Sequence, residues 1–280
     1  MRDDTPSRTA AWVAAARQLG RLLPEDVRIA DDPYGAAFTS IPLARAIELA
    51  VGGGLGALPA RFATLPGIAR WITYMQVRTR VIDDIARAFP GRQLVLLGAG
   101  YDCRALRLEL PGARVFEVDH PATQGHKRRV LEKLGATSSA TYVTWDFETN
   151  AMDDLPAALA DAGHDASIPT LTIWEGVTMY LTEAAIDASL RAIAQWSAQT
   201  SQLAMTYFAK SRLASPSWTM RAIAGVVSRL GEPWRFGWDP AELPDFLEAR
   251  GLALLDDIAL SDAARTLLPT HLARTIDDPG

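Results

Sequence analysis

The chain has a single cysteine, Cys103, so no intrachain disulfide can staple it and a reducing compartment is expected. Histidines are equally scarce. The four of them (His120, His126, His164 and His271) and Cys103 show no zinc-ligand spacing, and no acidic loop resembles a calcium site, so no metal is expected. No apolar run approaches the roughly 20 residues needed to span a bilayer. The start, Met1-Arg2-Asp3-Asp4, lacks the basic region and continuous apolar stretch of a secretory signal. Excess basic charge is missing too: 28 Lys and Arg against 33 Asp and Glu leave a net charge of −5, which argues against a nucleic-acid partner. The longest basic cluster, Lys127-Arg128-Arg129, reads as a solvated helix face. These absences point to a cytoplasmic chain with neither membrane nor nucleic-acid contacts.

What is present is a core. At 280 residues and 49% hydrophobic, the chain can bury a full interior, as one large domain with an elaboration or as two small ones. Residues 8–23, 43–51 and 71–89 read as helices, the last stopped by Pro90-Gly91. From Gln93 the pattern changes. Strand-like runs at 93–97, 114–118, 141–145, 170–174 and 203–208 alternate with helical runs at 105–110, 121–134, 155–162 and 183–197. That alternation predicts a doubly wound parallel sheet with right-handed connections, whose ligands lie beyond the carboxyl ends of the strands. After Phe208 it lapses into a helix over 215–230, a loop over 232–240, a helix over 241–250 and a strand over 252–260. No internal repeat or low-complexity segment interrupts this order.

The first strand, Gln93-Leu94-Val95-Leu96-Leu97, runs into Gly98-Ala99-Gly100-Tyr101-Asp102, where two glycines allow a sharp turn and close approach to a ligand. The second strand ends in Asp119, about 20 residues after Gly98, the spacing that offers a carboxylate to ribose hydroxyls. A dinucleotide site wants a third glycine where Cys103 stands. A two-glycine turn followed by Asp102 suits a cofactor with adenine and ribose but no phosphate, S-adenosylmethionine being the common one. On the glycines alone, dinucleotide and S-adenosylmethionine stay equally open.

Helical geometry sorts the two arginines of the third helix. At about 100° per residue, Arg78 falls in the apolar stripe of Trp71, Tyr74, Val81, Ile82, Ile85 and Phe89, whereas Arg80 lies opposite with Asp83, Asp84 and Arg87. A buried arginine needs an anion. The methionine carboxylate of a cofactor is one candidate; an ion pair with Asp102, or snorkelling to the surface, is the alternative. Asp146 and Phe147, leaving the third strand, can address an adenine, or Asp146 can simply cap the next helical segment. Glu175, leaving the fourth strand, can meet the cofactor amine or sulfonium, or be an exposed loop acid, and Tyr180 lies five positions beyond it. His120 and His126 read as satisfied polar groups near the ribose. Trp12, Tyr34, Tyr74, Tyr180, Trp218 and Trp234 are candidates for an acceptor pocket.

Taken together, Leu97-Gly98-Ala99-Gly100-Tyr101-Asp102, Phe116-Glu117-Val118-Asp119, Trp145-Asp146-Phe147 and Glu175-Gly176-Val177-Thr178-Met179-Tyr180-Leu181 resemble the motifs of the leucine carboxyl methyltransferase family, a branch of the class I S-adenosylmethionine-dependent methyltransferases. The resemblance covers roughly residues 70 to 260. It implies an α/β fold: a Rossmann-like sheet of about seven mostly parallel strands, with an N-terminal helical cap (1–90), a cofactor domain (91–280) and an inserted lid near 210–240. It implies Arg78 for the methionine carboxylate, Gly98 and Gly100 for the turn, Asp119 for the ribose, Asp146 and Phe147 at the adenine, and Glu175 near the amine. A match by the local Arg80-Val81 pair would choose Arg80 instead.

Asp102 joins the cofactor set, and Glu175 and Tyr180 form the catalytic pair expected of an O-methyltransferase acting on a carboxylate or hydroxyl of a small molecule, such as a polyketide. A carboxylate acceptor needs no base at neutral pH, whereas a phenol, with a pKa near 10, does, which tilts the reading to carboxyl methylation. The competing readings are a protein C-terminal carboxyl methyltransferase, a nucleotide-dependent oxidoreductase and a non-catalytic cofactor-binding protein. A homodimer is compatible with the chain; nothing in the sequence decides it.

Overall fold

The computed structural model describes residues 5–53, 66–214, 234–274 and 276. Helices α1 (Arg8–Leu19), α2 (Ile41–Val51) and α3 (Pro66–Ala88) lead into a sheet of β1 (Gln93–Leu97), β2 (Arg114–Asp119), β3 (Thr141–Thr144), β4 (Thr170–Trp174) and β5 (Gln202–Met205). The connections carry α4 (Arg104–Arg107), α5 (Pro121–Lys133), α6 (Leu155–Asp161) and α7 (Glu183–Trp196). The strand order is β3-β2-β1-β4-β5, with every pairing parallel.

Alternation along β1 explains the two layers. Val95 and Leu97 face one side and pack with Leu155 and Leu159 of α6 and Ile186, Leu190, Ile193 and Trp196 of α7. Leu94 and Leu96 face the other and pack with Ile82 and Ala86 of α3. A strand buried on both faces reads as a continuous apolar run, which is why Gln93–Leu97 is recognisable. The N-terminal segment is fastened over the glycine turn by Arg17, which donates to Asp32 at 3.0 Å and to the Tyr101 carbonyl at 2.9 Å, and by Phe38 stacked on Tyr101.

Several expectations are corrected. Among the described residues there are five strands, not seven. Among the described residues, the strand expected over 252–260 does not form: residues 252–259 take no ladder partner, and Leu254, Leu255 and Ile258 are exposed. Without a partner to satisfy its amides, an apolar run of the right length is not a strand. A helix, Leu260–Leu267, begins where that strand was to end, and the helix expected over 241–250 shortens to Leu243–Glu248. The helix expected over 215–230 lies outside the described residues. Lys127 is not solvated. It is buried beneath α5, with its Nζ 2.6 Å from Glu117 Oε2 on β2 and donating to the Asp102 carbonyl. Asp83 is likewise buried, held by Arg104 and Arg107 rather than lying with Arg80. No helix among the described residues is long and apolar enough to cross a membrane.

Candidate functional site

The chain reverses its winding direction between β1 and β4, since β2 and β3 lie to one side and β5 to the other. A crevice opens at such a switch point, beyond the carboxyl ends of the strands. Two segments leave into it: Gly98–Gly100 after β1, and Glu175–Gly176 after β4.

Gly98 and Gly100 have φ of 67° and 52°, the left-handed region that glycine enters without cost. Room is short as well. A Cβ on Gly98 would sit 2.8 Å from Val177 Cγ2, and one on Gly100 would sit 3.1 Å from Ala10 Cβ. Asp119, at the end of β2, accepts from the Gly100 amide at 2.6 Å through Oδ2 and from the His120 amide at 2.7 Å through Oδ1. Burial pushes its carboxyl above the usual range against the pull of those two hydrogen bonds. Each oxygen keeps a second lone pair, so Asp119 can hold the turn and still accept from hydroxyls.

Asp146 lies past the end of β3. It accepts from the Glu148 amide at 2.9 Å within a turn over 147–149; the next helical segment, Met152–Asp154, is preceded by Ala151, so Asp146 caps a turn and not a helix, and its Oδ2 lies 3.9 Å from His120 Nε2. His120 Nδ1 accepts from the Ala122 amide at the start of α5, leaving Nε2 to carry the hydrogen toward Asp146. Phe147 is exposed beside them. His126 packs edge-on against Tyr101, and burial lowers its pKa. His120 thus has a hydrogen-bond partner at Nδ1, and His126 is held by a ring contact.

The acidic and basic side chains gather at the β4 end. Arg78 Nε lies 2.8 Å from Glu175 Oε1, and both groups are largely buried. That contact is a charge contact only, since neither atom has an aligned hydrogen bond. Glu175 Oε2 accepts from Arg104 Nη1 at 2.7 Å. Burial opposes ionisation of Glu175, but the guanidiniums of Arg104, Arg78 and Arg17 outweigh it and hold the carboxyl well below the usual range. Such a carboxylate suits an ammonium better than it suits accepting a proton. Arg80, by contrast, is on the surface, paired with Asp84 at 2.7 Å. The helical geometry is borne out in burial: Arg78 is turned inward and Arg80 outward.

Asp102, expected in the cofactor set, is paired within the protein. Its carboxylate is buried against Arg104, accepting from that residue's amide at 2.7 Å and from its guanidinium. Arg104 itself was missed; a charge of opposite sign two positions after Asp102, on the turn into a helix, was the available signal. Tyr180 is half-buried in a single helical turn, Thr178–Tyr180, further along the same segment as Glu175. Of the aromatic candidates, Tyr74 supports Arg78, with the guanidinium 5.9 Å from its ring. Tyr34 packs with the Tyr101 cluster, Trp234 packs edge-on against Phe208, and Trp12 is exposed on α1. Trp218 lies outside the described residues.

A family model described as leucine carboxyl methyltransferase matches residues 10–194, a stretch that contains Arg78, Gly98, Gly100, Asp102, Arg104, Asp119, Asp146, Phe147, Glu175 and Tyr180. The chain belongs to the leucine carboxyl methyltransferase family. Proteins similar to it in sequence carry the name S-adenosyl-L-methionine-dependent methyltransferase. One from Mycolicibacterium gilvum is 33% identical over 270 residues, covering 88% of this chain and 84% of the relative. One from Streptomyces coelicolor is 46% identical over 114 residues, covering 39% and 40%, and one from Frankia alni is 40% identical over 152, covering 52% of each. The chain thus spans 40% and 52% of the length of these last two relatives. A crystal structure from Thermobifida fusca, described as of a methyltransferase, is 21% identical with a TM-score of 0.49, covering 86% of this chain and 90% of that one.

The family's cofactor is a nucleoside joined to an amino acid, and the charged groups at the β4 end fit the amino-acid part. Arg78 Nε and Glu175 Oε1 are buried polar atoms without aligned partners, one cationic and one anionic. A zwitterion offers the complement of each.

Proposed function

We propose that this member of the leucine carboxyl methyltransferase family is an S-adenosyl-L-methionine-dependent O-methyltransferase whose acceptor is a carboxylate or hydroxyl of a small molecule. The observation that carries the reading is the buried Arg78–Glu175 contact beside the Gly98–Gly100 turn. Arg78 would hold the cofactor carboxylate, Glu175 its amine and Asp119 the ribose hydroxyls. Asp146 would accept from the adenine amino group, with Phe147 against the ring. When bound, the cofactor supplies a methyl group on a sulfonium, which departs by in-line displacement.

The chain's own contribution is then to fix the donor and to hold an acceptor oxygen about 3 to 3.5 Å from the methyl carbon. The start of α1 is tied to α5 beside the turn, the Ser7 amide donating to Thr123 Oγ1 at 3.1 Å. The basic groups around the crevice are already engaged. His120 has both ring nitrogens directed at Ala122 and Asp146, and Glu175 is held ionised by guanidiniums. This favours an acceptor that arrives deprotonated, which a carboxylate does at neutral pH. The experiment is incubation with cofactor labelled in its methyl group and a set of small carboxylic acids, phenols and alcohols. Label in an ester, released as methanol by mild alkali, is the expected result. Alkali-stable label would move the acceptor to a hydroxyl, and label in no product with no demethylated cofactor formed would contradict methyl transfer to this substrate class.

A further inference from the structure

We propose that Arg104 is the positioning residue for the amino-acid end of the cofactor, anchoring Glu175 so that Arg78 is free to leave it. The proposal rests on the cofactor reading above and adds a residue to it. Arg104 is the first residue of α4 and its side chain is 0% exposed. Its Nε donates to Asp83 Oδ1 at 2.8 Å, and its Nη1 donates to Asp102 and, at 2.7 Å, to Glu175 Oε2. One side chain thus joins α3, the segment after β1 and the segment after β4.

The two arginines on Glu175 hold it differently. Arg104 makes an aligned hydrogen bond, whereas Arg78 makes a charge contact in which both Nε and Oε1 go without one. Arg78 is therefore the partner more easily exchanged. An α-amino acid supplies a carboxylate for Arg78 and an ammonium for Oε1, so inserting it satisfies both orphaned atoms. The charge balance permits this. Arg17, Arg78, Arg104 and Arg107 face Asp32, Asp83, Asp102 and Glu175 in one buried network, four cations to four anions, and a zwitterion adds no net charge. Removing a partner from a buried pair usually leaves an uncompensated charge. Here Arg104 prevents that, keeping Glu175 ionised and aimed while Arg78 turns to the ligand. Lysine cannot replace it, because a point charge lacks the planar fork that reaches several carboxylates at once.

The test uses two ligands that share the adenosine: S-adenosylhomocysteine, with the amino-acid end, and 5′-methylthioadenosine, without it. Calorimetric titration of Arg104→Lys should show S-adenosylhomocysteine weakened by about tenfold or more, the scale of a charge-assisted contact, and methylthioadenosine changed by less than about threefold. Should the lysine variant fold poorly, Asp83→Asn combined with Arg104→Met removes one charge of each sign and is expected to give the same split. In a Glu175→Gln background Arg104→Lys should add little further loss, since its effect runs through Glu175. Equal weakening of both ligands would mean a merely structural role and overturn the proposal, as would an unchanged affinity for S-adenosylhomocysteine. If the unaltered chain binds neither ligand, the cofactor reading itself falls and takes this proposal with it.

Discussion

Replacing Arg78 and Arg80 separately by alanine should give opposite results, although they stand two positions apart on one helix. Arg78 is 6% exposed and its guanidinium lies 2.8 Å from Glu175, so its loss breaks a buried ion pair. Breaking such a pair costs about 3 to 5 kcal/mol when the remaining charge is left alone. Glu175 keeps Arg104, which places the expected loss of stability near the lower end, about 3 kcal/mol. Arg80 has a side chain 38% exposed and an i, i+4 pair with Asp84 at 2.7 Å, which is worth about 0.3 to 0.5 kcal/mol. For the ligand, a hydrogen bond to a charged group contributes about 1.5 to 3 kcal/mol, or roughly 10- to 150-fold in affinity. The assays are urea denaturation for stability and titration with S-adenosylhomocysteine, below the melting range of the weaker variant, for binding. Arg78→Ala should move both and Arg80→Ala neither. If Arg80→Ala is the damaging change, or if Arg78→Ala binds the ligand normally, the assignment of the carboxylate to Arg78 is wrong.

Asp119→Ala should weaken the same ligand by about 1 to 3 kcal/mol, because the Gly100 and His120 amides lose their acceptor along with the ribose; normal affinity would place the ribose elsewhere. Lys127→Met strands Glu117 in the core and should cost about 3 to 5 kcal/mol in urea denaturation, most of it recovered by adding Glu117→Gln; no recovery would show that the packing, not the charge, is at fault. Burial lowers the pKa of His164 and His126 below 6.5, so as pH falls through that value the unfolded chain takes up protons that the folded chain refuses, and stability declines. Urea midpoints measured at about pH 7.5 and about pH 5.5 should show this fall, and His164→Gln should shrink it; an unchanged difference would show that His164 is not a contributor.

The parts of the fold that could be read in advance share a physical feature: their environment is uniform along the element. The runs that became β1 and β4 are buried at every position, so an unbroken apolar pattern marks them. Arg78 was legible because a helical face is a local property, and its neighbours Ile82 and Ile85 declare which way it points. Residues decided by distant partners were not. Asp83 sits beside the exposed Asp84 yet turns inward, because Arg104 and Arg107 reach it from a helix more than twenty residues later. Lys127 obeys the same rule. Its sequence neighbours Arg128 and Arg129 suggest a solvated face, and only Glu117, between the buried Phe116 and Val118 of β2, signals that a buried cation must come to meet it. The run over 252–259 shows the converse. Its composition suits a strand, but a strand exists only through a partner, and none pairs with it among the described residues.

The most direct test of the account is a calorimetric titration of the unaltered chain, without added metal, against S-adenosylhomocysteine and, separately, NADH. The arrangement of Gly98, Gly100, Asp119, Arg78 and Glu175 predicts micromolar binding of S-adenosylhomocysteine and none of NADH, whose binding turn calls for a third glycine, for close helix packing, where this chain has Cys103. Binding of NADH in the absence of any binding of S-adenosylhomocysteine would contradict it.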